Sequence, residues 1–238
     1  MELENIKYVM EGLDVVEKLR HLVKTYPDKI VFSTSFGWED QVITHLIFSN
    51  HIPIKVFTLE TGRLFPETYY VWNRTLEVYQ QPIHAYYPQT GPLENMINQK
   101  GPNSFYESVE NRKECCQIRK IEPLKRALAG NEIWITGIRA EQSINREDMH
   151  DLEWDEGNQL IKFHPIFGWT LAEVKKYIAE NNIVYNTLHD KGFPSIGCAP
   201  CTRAVQPGED FRAGRWWWED QSKKECGLHE TIELKVKS

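Results

Sequence analysis

No apolar run in this chain approaches the ~20 residues a helix needs to cross a bilayer, so a helical membrane span is not expected. Positive charge is not in surplus either. Lys and Arg number 28 against 34 Asp and Glu, and the resulting net charge of −6 favours neither nucleic acid nor an acidic membrane as partner. The sequence has no low-complexity tract, no internal repeat and no obvious linker. At 238 residues it is read as a single domain, 1–238, long enough to bury a sizeable core. The first 23 residues are charged and amphipathic and lack the apolar centre of a signal peptide. They are read as one helix of a cytoplasmic protein.

Cysteine is scarce and odd in number, five in all. An odd count in a cytoplasmic chain argues against a disulfide framework and for metal binding or redox chemistry. The five fall into a pattern: Cys115-Cys116, then Cys198-Ala-Pro-Cys201, then Cys226 alone. Four thiolates from two segments can hold one metal centre. Zinc and an iron–sulfur cluster both remain open on chemistry alone, because adjacent cysteines are awkward for tetrahedral zinc and unlike the spaced ferredoxin motifs. Cys226 is left over as a candidate nucleophile. Lys223, Lys224 and His229 beside it are the kind of neighbours that lower a thiol pKa.

The remaining periodicity is that of an α/β protein. Strands are expected at Lys29–Ser33, Ile54–Leu59, Ile83–Tyr87, Glu132–Thr136 and Leu160–His164. Between them lie helical patterns: Val42, Ile43, Leu46 and Ile47 on one face, Glu67 to Tyr79 behind Pro66, Glu114 to Ala129 with Pro123 as a kink, and Thr170 to Asn182. Alternation of this kind predicts a mostly parallel sheet with helices on both faces. From Asn186 regular periodicity fades into a Gly-, Pro-, Cys- and Trp-rich region, and residues 205–238 are read as a mobile C-terminal segment carrying the reactive cysteine.

Three expected strands end in loops rich in hydroxyl groups and glycine: Ser33-Thr-Ser35-Phe-Gly37, Leu59-Glu60-Thr61-Gly62 and Thr136-Gly137-Ile-Arg139. Ligands of open parallel sheets bind outside the carboxyl ends of the strands, and such loops suit a nucleotide and its oxyanions. Lys120, Arg139, Arg146, Arg203, Arg212 and Arg215 lie near these loops or the cysteines, a local concentration of positive charge suited to an anionic substrate in an acidic protein. Trp216, Trp217 and Trp218 are read as packing or wall-forming residues.

Taken together, Ser35-Phe-Gly-Trp-Glu-Asp40, Leu59-Glu-Thr-Gly-Arg-Leu-Phe-Pro-Glu-Thr-Tyr69, Cys115-Cys-Gln-Ile-Arg-Lys120, Thr136-Gly-Ile-Arg-Ala-Glu-Gln-Ser143, Gly197-Cys-Ala-Pro-Cys-Thr-Arg203, Gly208-Glu-Asp-Phe-Arg-Ala-Gly-Arg-Trp-Trp-Trp-Glu219 and Glu225-Cys-Gly-Leu-His229 resemble the thioredoxin-dependent adenylyl-sulfate (APS) and phosphoadenylyl-sulfate (PAPS) reductases of assimilatory sulfate reduction. The resemblance spans most of the chain. It implies an adenine-nucleotide α-hydrolase-like fold of the PP-loop type. It also implies a [4Fe–4S] cluster on Cys115, Cys116, Cys198 and Cys201, which mark the cluster-bearing branch, with APS as lead substrate and PAPS as alternative.

The same resemblance implies that Cys226 attacks the sulfur of APS, assisted by His229, to give an S-sulfocysteine and AMP. Thioredoxin, or a glutaredoxin-like reductant, then releases sulfite. Lys120, Arg212 and Arg215 would hold the phosphosulfate. Ser33, Ser35, Gly37, Leu59, Thr61, Gly62, Thr136, Gly137, Arg139 and Arg146 would hold the rest of the nucleotide. A homo-oligomer is the expected assembly. Two positions depart from the family pattern: Glu60 stands where aspartate is usual, and Trp38 where a small residue is common. The Ser-Gly-Gly loop of ATP-using relatives is missing, which argues against an ATP-dependent activity.

Overall fold

The computed structural model describes residues 2–142 and 149–219. Arg146, Cys226, His229 and most of the expected 205–238 segment lie outside them.

Six strands form one sheet in the order β3-β2-β1-β4-β6-β5. They are β1 (Ile30–Ser33), β2 (Lys55–Leu59), β3 (His84–Tyr86), β4 (Ile133–Ile135), β5 (Leu152–Asp155) and β6 (Leu160–Phe163). The first four and β6 are parallel, whereas β5 pairs antiparallel with β6, Leu152 opposite Phe163 and Asp155 opposite Leu160. Strand order reverses direction between β1 and β4, which makes their carboxyl ends the switch point of the sheet.

Strand side chains alternate between two apolar layers with the period of 2 that a pleated strand dictates. Ile30, Phe32, Val56, Ile133, Ile135, Ile161 and Phe163 face helices α2 (Val15–Thr25), α3 (Trp38–Ser49), α4 (Pro66–Tyr79) and α8 (Leu171–Glu180). Val31, Phe57, Trp134 and Leu160 face Leu124, Ala127 and Leu128 of α7 (Glu122–Leu128). Helices α1 (Glu2–Met10), α5 (Thr90–Lys100) and α6 (Val109–Cys116) complete the set.

Two sequence expectations are corrected here. The N-terminal stretch is two helices, because Gly12 takes φ +78° and Asp14 starts α2 with a capping box: its side chain accepts from the Glu17 N–H while the Glu17 side chain accepts from the Asp14 N–H. The helix expected from Glu114 to Ala129 starts earlier, with Ser108 capping α6, and passes through one π-helical turn, Gln117–Ile121, before α7. Pro123 has no N–H to give to the carbonyl four residues back. The wider turn, in which the Glu122 N–H reaches the Gln117 carbonyl, absorbs that loss without breaking the chain's course.

Candidate active site

At the carboxyl ends of β1, β2 and β4 a cavity of about 490 Å3 opens, and all three loops singled out in the sequence reach it. Ser33, Ser35, Gly37, Leu59, Thr61, Thr136 and Gly137 are in its wall, together with Lys120, Arg212 and Arg215. Gly62 and Arg139 are not among the lining residues. Gly62, at φ +71°, turns its loop, and its N–H donates to Glu60 Oε1. Arg139 is buried in ion pairs to Glu39 at 2.8 Å and Glu141 at 2.9 Å, so its charge is spent on bracing the loops after β1 and β4 against each other. Arg203, likewise, is paired with Glu209 on the surface.

The β1 loop is built around Asp40. Its Oδ2 accepts from both the backbone N–H and the hydroxyl of Ser35, each at 2.6 Å. Its Oδ1 lies so close to Gly137 that a Cβ there would meet it at 2.2 Å, so only glycine lets the two loops touch. Burial pushes the Asp40 carboxyl up to about 6, against the lowering effect of the two Ser35 hydrogen bonds. The sign for stability follows from proton binding. Between about pH 4 and 6 the folded state binds more protons at this site than the unfolded state, so Asp40 destabilises the fold progressively as pH rises through that window. An Asp40→Asn variant is expected to remove the effect, gaining stability over the wild type above pH 6 by an amount bounded near 3 kcal/mol. Urea midpoints at pH 4.5 and pH 7 check it: a gain at the lower pH as large as at the higher would refute the assignment.

Glu60, one of the two departures, does not face the cavity. Buried to 4% exposure, it accepts from the Gly62 N–H and the Tyr69 hydroxyl, and its added methylene serves the bracing of its own loop. Trp38 also points away from the cavity and lies flat on the His189 ring, centroids 3.9 Å apart at 16°. Glu39, Asp40, Met149, Lys162, His189 and Phe211 line the cavity without having been anticipated from the sequence. For Glu39 and Asp40 the signal was present, since they close the Ser35-Phe-Gly-Trp-Glu-Asp40 motif.

Next to this cavity lies a smaller one, ringed by Cys115, Cys116, Cys198 and Cys201 with Arg63, Arg119, Lys120 and Trp216. Lys120 and Cys198 belong to the walls of both. The π turn sets Arg119 and Lys120 on this side, where Arg119 reaches the Thr61 carbonyl and Cys198 Sγ donates to Thr61 Oγ1 at 3.3 Å. The last described segment covers the cysteines. Trp216 N–H donates to the Cys201 carbonyl, Arg203 N–H to Gly214, and Arg112 grips Glu219 through two hydrogen bonds of 2.9 and 3.0 Å while its guanidinium stacks on Trp216. This seam brings Arg212 and Arg215 to the cavity.

The four cysteines are free thiols. Burial raises Cys115, opposed by Arg119, and pushes Cys201 up to about 12, with Cys198 adding to the rise. The thiols ring a cavity and do not close on a point: among the described residues no three His, Cys, Asp or Glu side chains already stand where they would hold a metal ion. Among those residues, too, no helix is long and apolar enough to cross a membrane.

Comparison with known proteins agrees with this geometry. The profile of the phosphoadenosine phosphosulfate reductase domain matches residues 29–204. An adenosine 5′-phosphosulfate reductase of Burkholderia cepacia is 49% identical over 204 residues, 86% of this chain and 82% of that protein. The crystal structure of a phosphoadenylyl-sulfate reductase from Candida auris superposes with a TM-score of 0.72 at 30% identity, covering 85% of this chain and 96% of that one. Yeast FAD synthetase shares the fold alone, with a TM-score of 0.50 at 15% identity.

Proposed function

The chain belongs to the phosphoadenosine phosphosulfate reductase family, and we infer that it reduces APS to sulfite and AMP in assimilatory sulfate reduction. One observation carries the reading: the nucleotide-sized cavity and the four-cysteine cavity share the Lys120 and Cys198 wall. A substrate whose nucleoside lies against the strand ends would present its phosphosulfate to Lys120, Arg212 and Arg215. Those cations screen the charge of an approaching thiolate and stabilise the charge that develops on AMP as it leaves.

The Cys226 thiolate forms a bond to the APS sulfur as the bond from that sulfur to the bridging oxygen breaks, giving S-sulfocysteine and AMP. A thiolate of thioredoxin, or of a glutaredoxin-like dithiol, then attacks the Cys226 sulfur and expels sulfite. The partner's second thiol resolves the mixed disulfide, so the dithiol supplies both electrons. Cys226 is the remaining thiol for this work, because the other four face the second cavity. His229 would assist Cys226, and Arg146 would add a cation to the nucleotide site. A cytoplasmic location, where thioredoxin is kept reduced, fits this requirement.

Cys115, Cys116, Cys198 and Cys201 would hold a [4Fe–4S] cluster. Their donor set fits it: four free thiols from two segments, three of them buried and Cys116 half-buried, line one cavity. Metal binding would draw off the protons that burial now holds on Cys115 and Cys201. When bound, the cluster would lend rigidity to the shared wall, and the positive potential next to the phosphosulfate would come from Lys120, Arg212 and Arg215.

APS is favoured over PAPS by electrostatics. A 3′-phosphate against the β1 loop would meet the Asp40 carboxylate, beside which Glu39 is already held by Arg139, and like charges in a partly desolvated site repel strongly. The test is sulfite release by anaerobically purified protein with reduced thioredoxin, offering APS and PAPS in parallel. Brown protein with iron on its cysteines, turning over APS with little turnover of PAPS, is the expected result. Equal or greater turnover of PAPS would move the specificity, and a colourless zinc protein without sulfite release would overturn the function.

A further inference from the structure

One polar atom in the cavity wall is not used by the reaction above. His189 is 8% exposed, and its Nδ1–H donates to the Phe193 carbonyl at 2.7 Å. That bond fixes the tautomer of a neutral ring and leaves Nε2 as a lone-pair acceptor. Nε2 is buried and has no hydrogen-bond partner among the described residues. A buried acceptor left unmade costs more than an average hydrogen bond returns, so such an atom beside a cavity signals a partner that arrives with the ligand. The ring has little freedom to look elsewhere. Trp38 stacks on it at 3.9 Å, and Lys175 sits over the Trp38 ring at 4.5 Å.

What arrives is set by the neighbours. A side chain at Gly37 would occupy the space between Ser35 Oγ and His189 Nε2, with its Cβ 3.6 Å from the first and 4.0 Å from the second. The Ser35 hydroxyl gives its proton to Asp40, so its outward lone pairs also accept. Two acceptors on either side of a missing side chain, with the Asp40 carboxylate behind Ser35, disfavour an anion and suit a pair of adjacent hydroxyl donors. In an adenine nucleotide at neutral pH the donors are the ribose hydroxyls and the 6-amino group. The flat base is better placed against the apolar wall of Leu59, Leu124, Trp134 and Ile138.

We propose that His189 is a specificity residue for the ribose, its Nε2 accepting from one hydroxyl of the cis-diol while Ser35 Oγ accepts from the other, in the space kept open by Gly37. The proposal rests on the nucleotide reading above and assigns a subsite within it. Burial keeps His189 neutral by lowering its pKa, which maintains the acceptor.

The experiment is equilibrium binding of AMP, 2′-deoxy-AMP, 3′-deoxy-AMP and IMP to the full chain. In the wild type, loss of one ribose hydroxyl should weaken binding about three- to tenfold, the worth of a single hydrogen bond, and IMP should bind like AMP. In His189→Asn, whose amide can keep the bond to Phe193 but cannot reach as far as Nε2, one of the two deoxy penalties should vanish. His189→Gln should restore it in part. Gly37→Ala, whose backbone conformation (φ −73°) alanine accepts, should bind AMP no better than the deoxy ligands. Equal binding of AMP and both deoxy nucleotides by the wild type, or a penalty with IMP alone, would overturn the proposal and leave the nucleotide reading standing. Failure of the wild type to bind AMP at all would sink both.

Discussion

Cys226→Ser is expected to abolish sulfite release, by at least about 10^3-fold, while AMP binding stays within about twofold of the wild type. The hydroxyl of serine has no accessible anion at neutral pH and is a far weaker nucleophile than a thiolate. The second readout separates chemistry from folding. Wild-type protein mixed with APS and no reductant should gain one SO3 group on Cys226, visible by mass, with one AMP released per chain. The serine variant should show neither. Substituting Cys116 or Cys201 instead is expected to deplete iron, a different signature. Sulfite production by Cys226→Ser at the normal rate would remove the nucleophile from the mechanism and return attention to the other four cysteines.

Cys226 lies outside the described residues, so the role proposed for it rests on the sequence, where it is the one cysteine left over from two pairs. Other parts were legible in sequence and structure alike. The parallel strands came through because β-branched and aromatic runs such as Ile30–Ser33 and Lys55–Leu59 end in hydroxyl and glycine turns. Strand β5 was missed because Glu153 and Asp155 interrupt its apolar pattern; they are tolerated since β5 is the antiparallel edge, where Asp155 pairs with Lys162 of β6 at 2.8 Å. Helix α5 was missed because it opens with Thr90-Gly-Pro and Gln89 gives no side-chain cap. The Gly12 break was present in the sequence as Gly-Leu-Asp-x-x-Glu and is a capping box that amphipathic periodicity on either side concealed.

At the site, composition could place cations near the loops but could not say which were already paired. Arg139 sits next to a lining loop in sequence, yet its partners Glu39 and Glu141 come from elements on either side and consume it. Arg212 and Arg215, far from the β1 loop in sequence, reach the same cavity because backbone bonds sew their segment to the cysteine loop. His189 carried no sequence signal of its own. Only the tertiary placement of Phe193, Trp38 and Gly37 turns it from a core histidine into an aimed acceptor.

Gly197→Ala should cut activity sharply while leaving the fold intact. Gly197 precedes Cys198 in the cavity wall, and a Cβ there would lie 2.4 Å from Arg215 Nη2, 2.6 Å from Cζ and 2.8 Å from Nη1. The clash is with the far end of a flexible side chain and not with backbone, so the fold can relieve it at little cost by moving the guanidinium. That movement takes Arg215 away from Ser195, whose hydroxyl it faces at 3.5 Å, and from the phosphosulfate wall. Displacing a transition-state cation by about 1 Å is worth ~10^2-fold in kcat/KM, whereas the urea midpoint should stay close to the wild type. Gly168→Ala is the matched control, since a Cβ there meets nothing within 4 Å, and it should change neither quantity. The double variant Gly197→Ala/Arg215→Ala closes the argument. If the alanine acts through Arg215, the double variant is no slower than Arg215→Ala alone, because the two changes remove the same interaction. Additive losses would mean that Gly197 serves the neighbouring cysteine loop directly, and a Gly197→Ala enzyme with more than half the normal activity would mean that Arg215 does not hold the substrate.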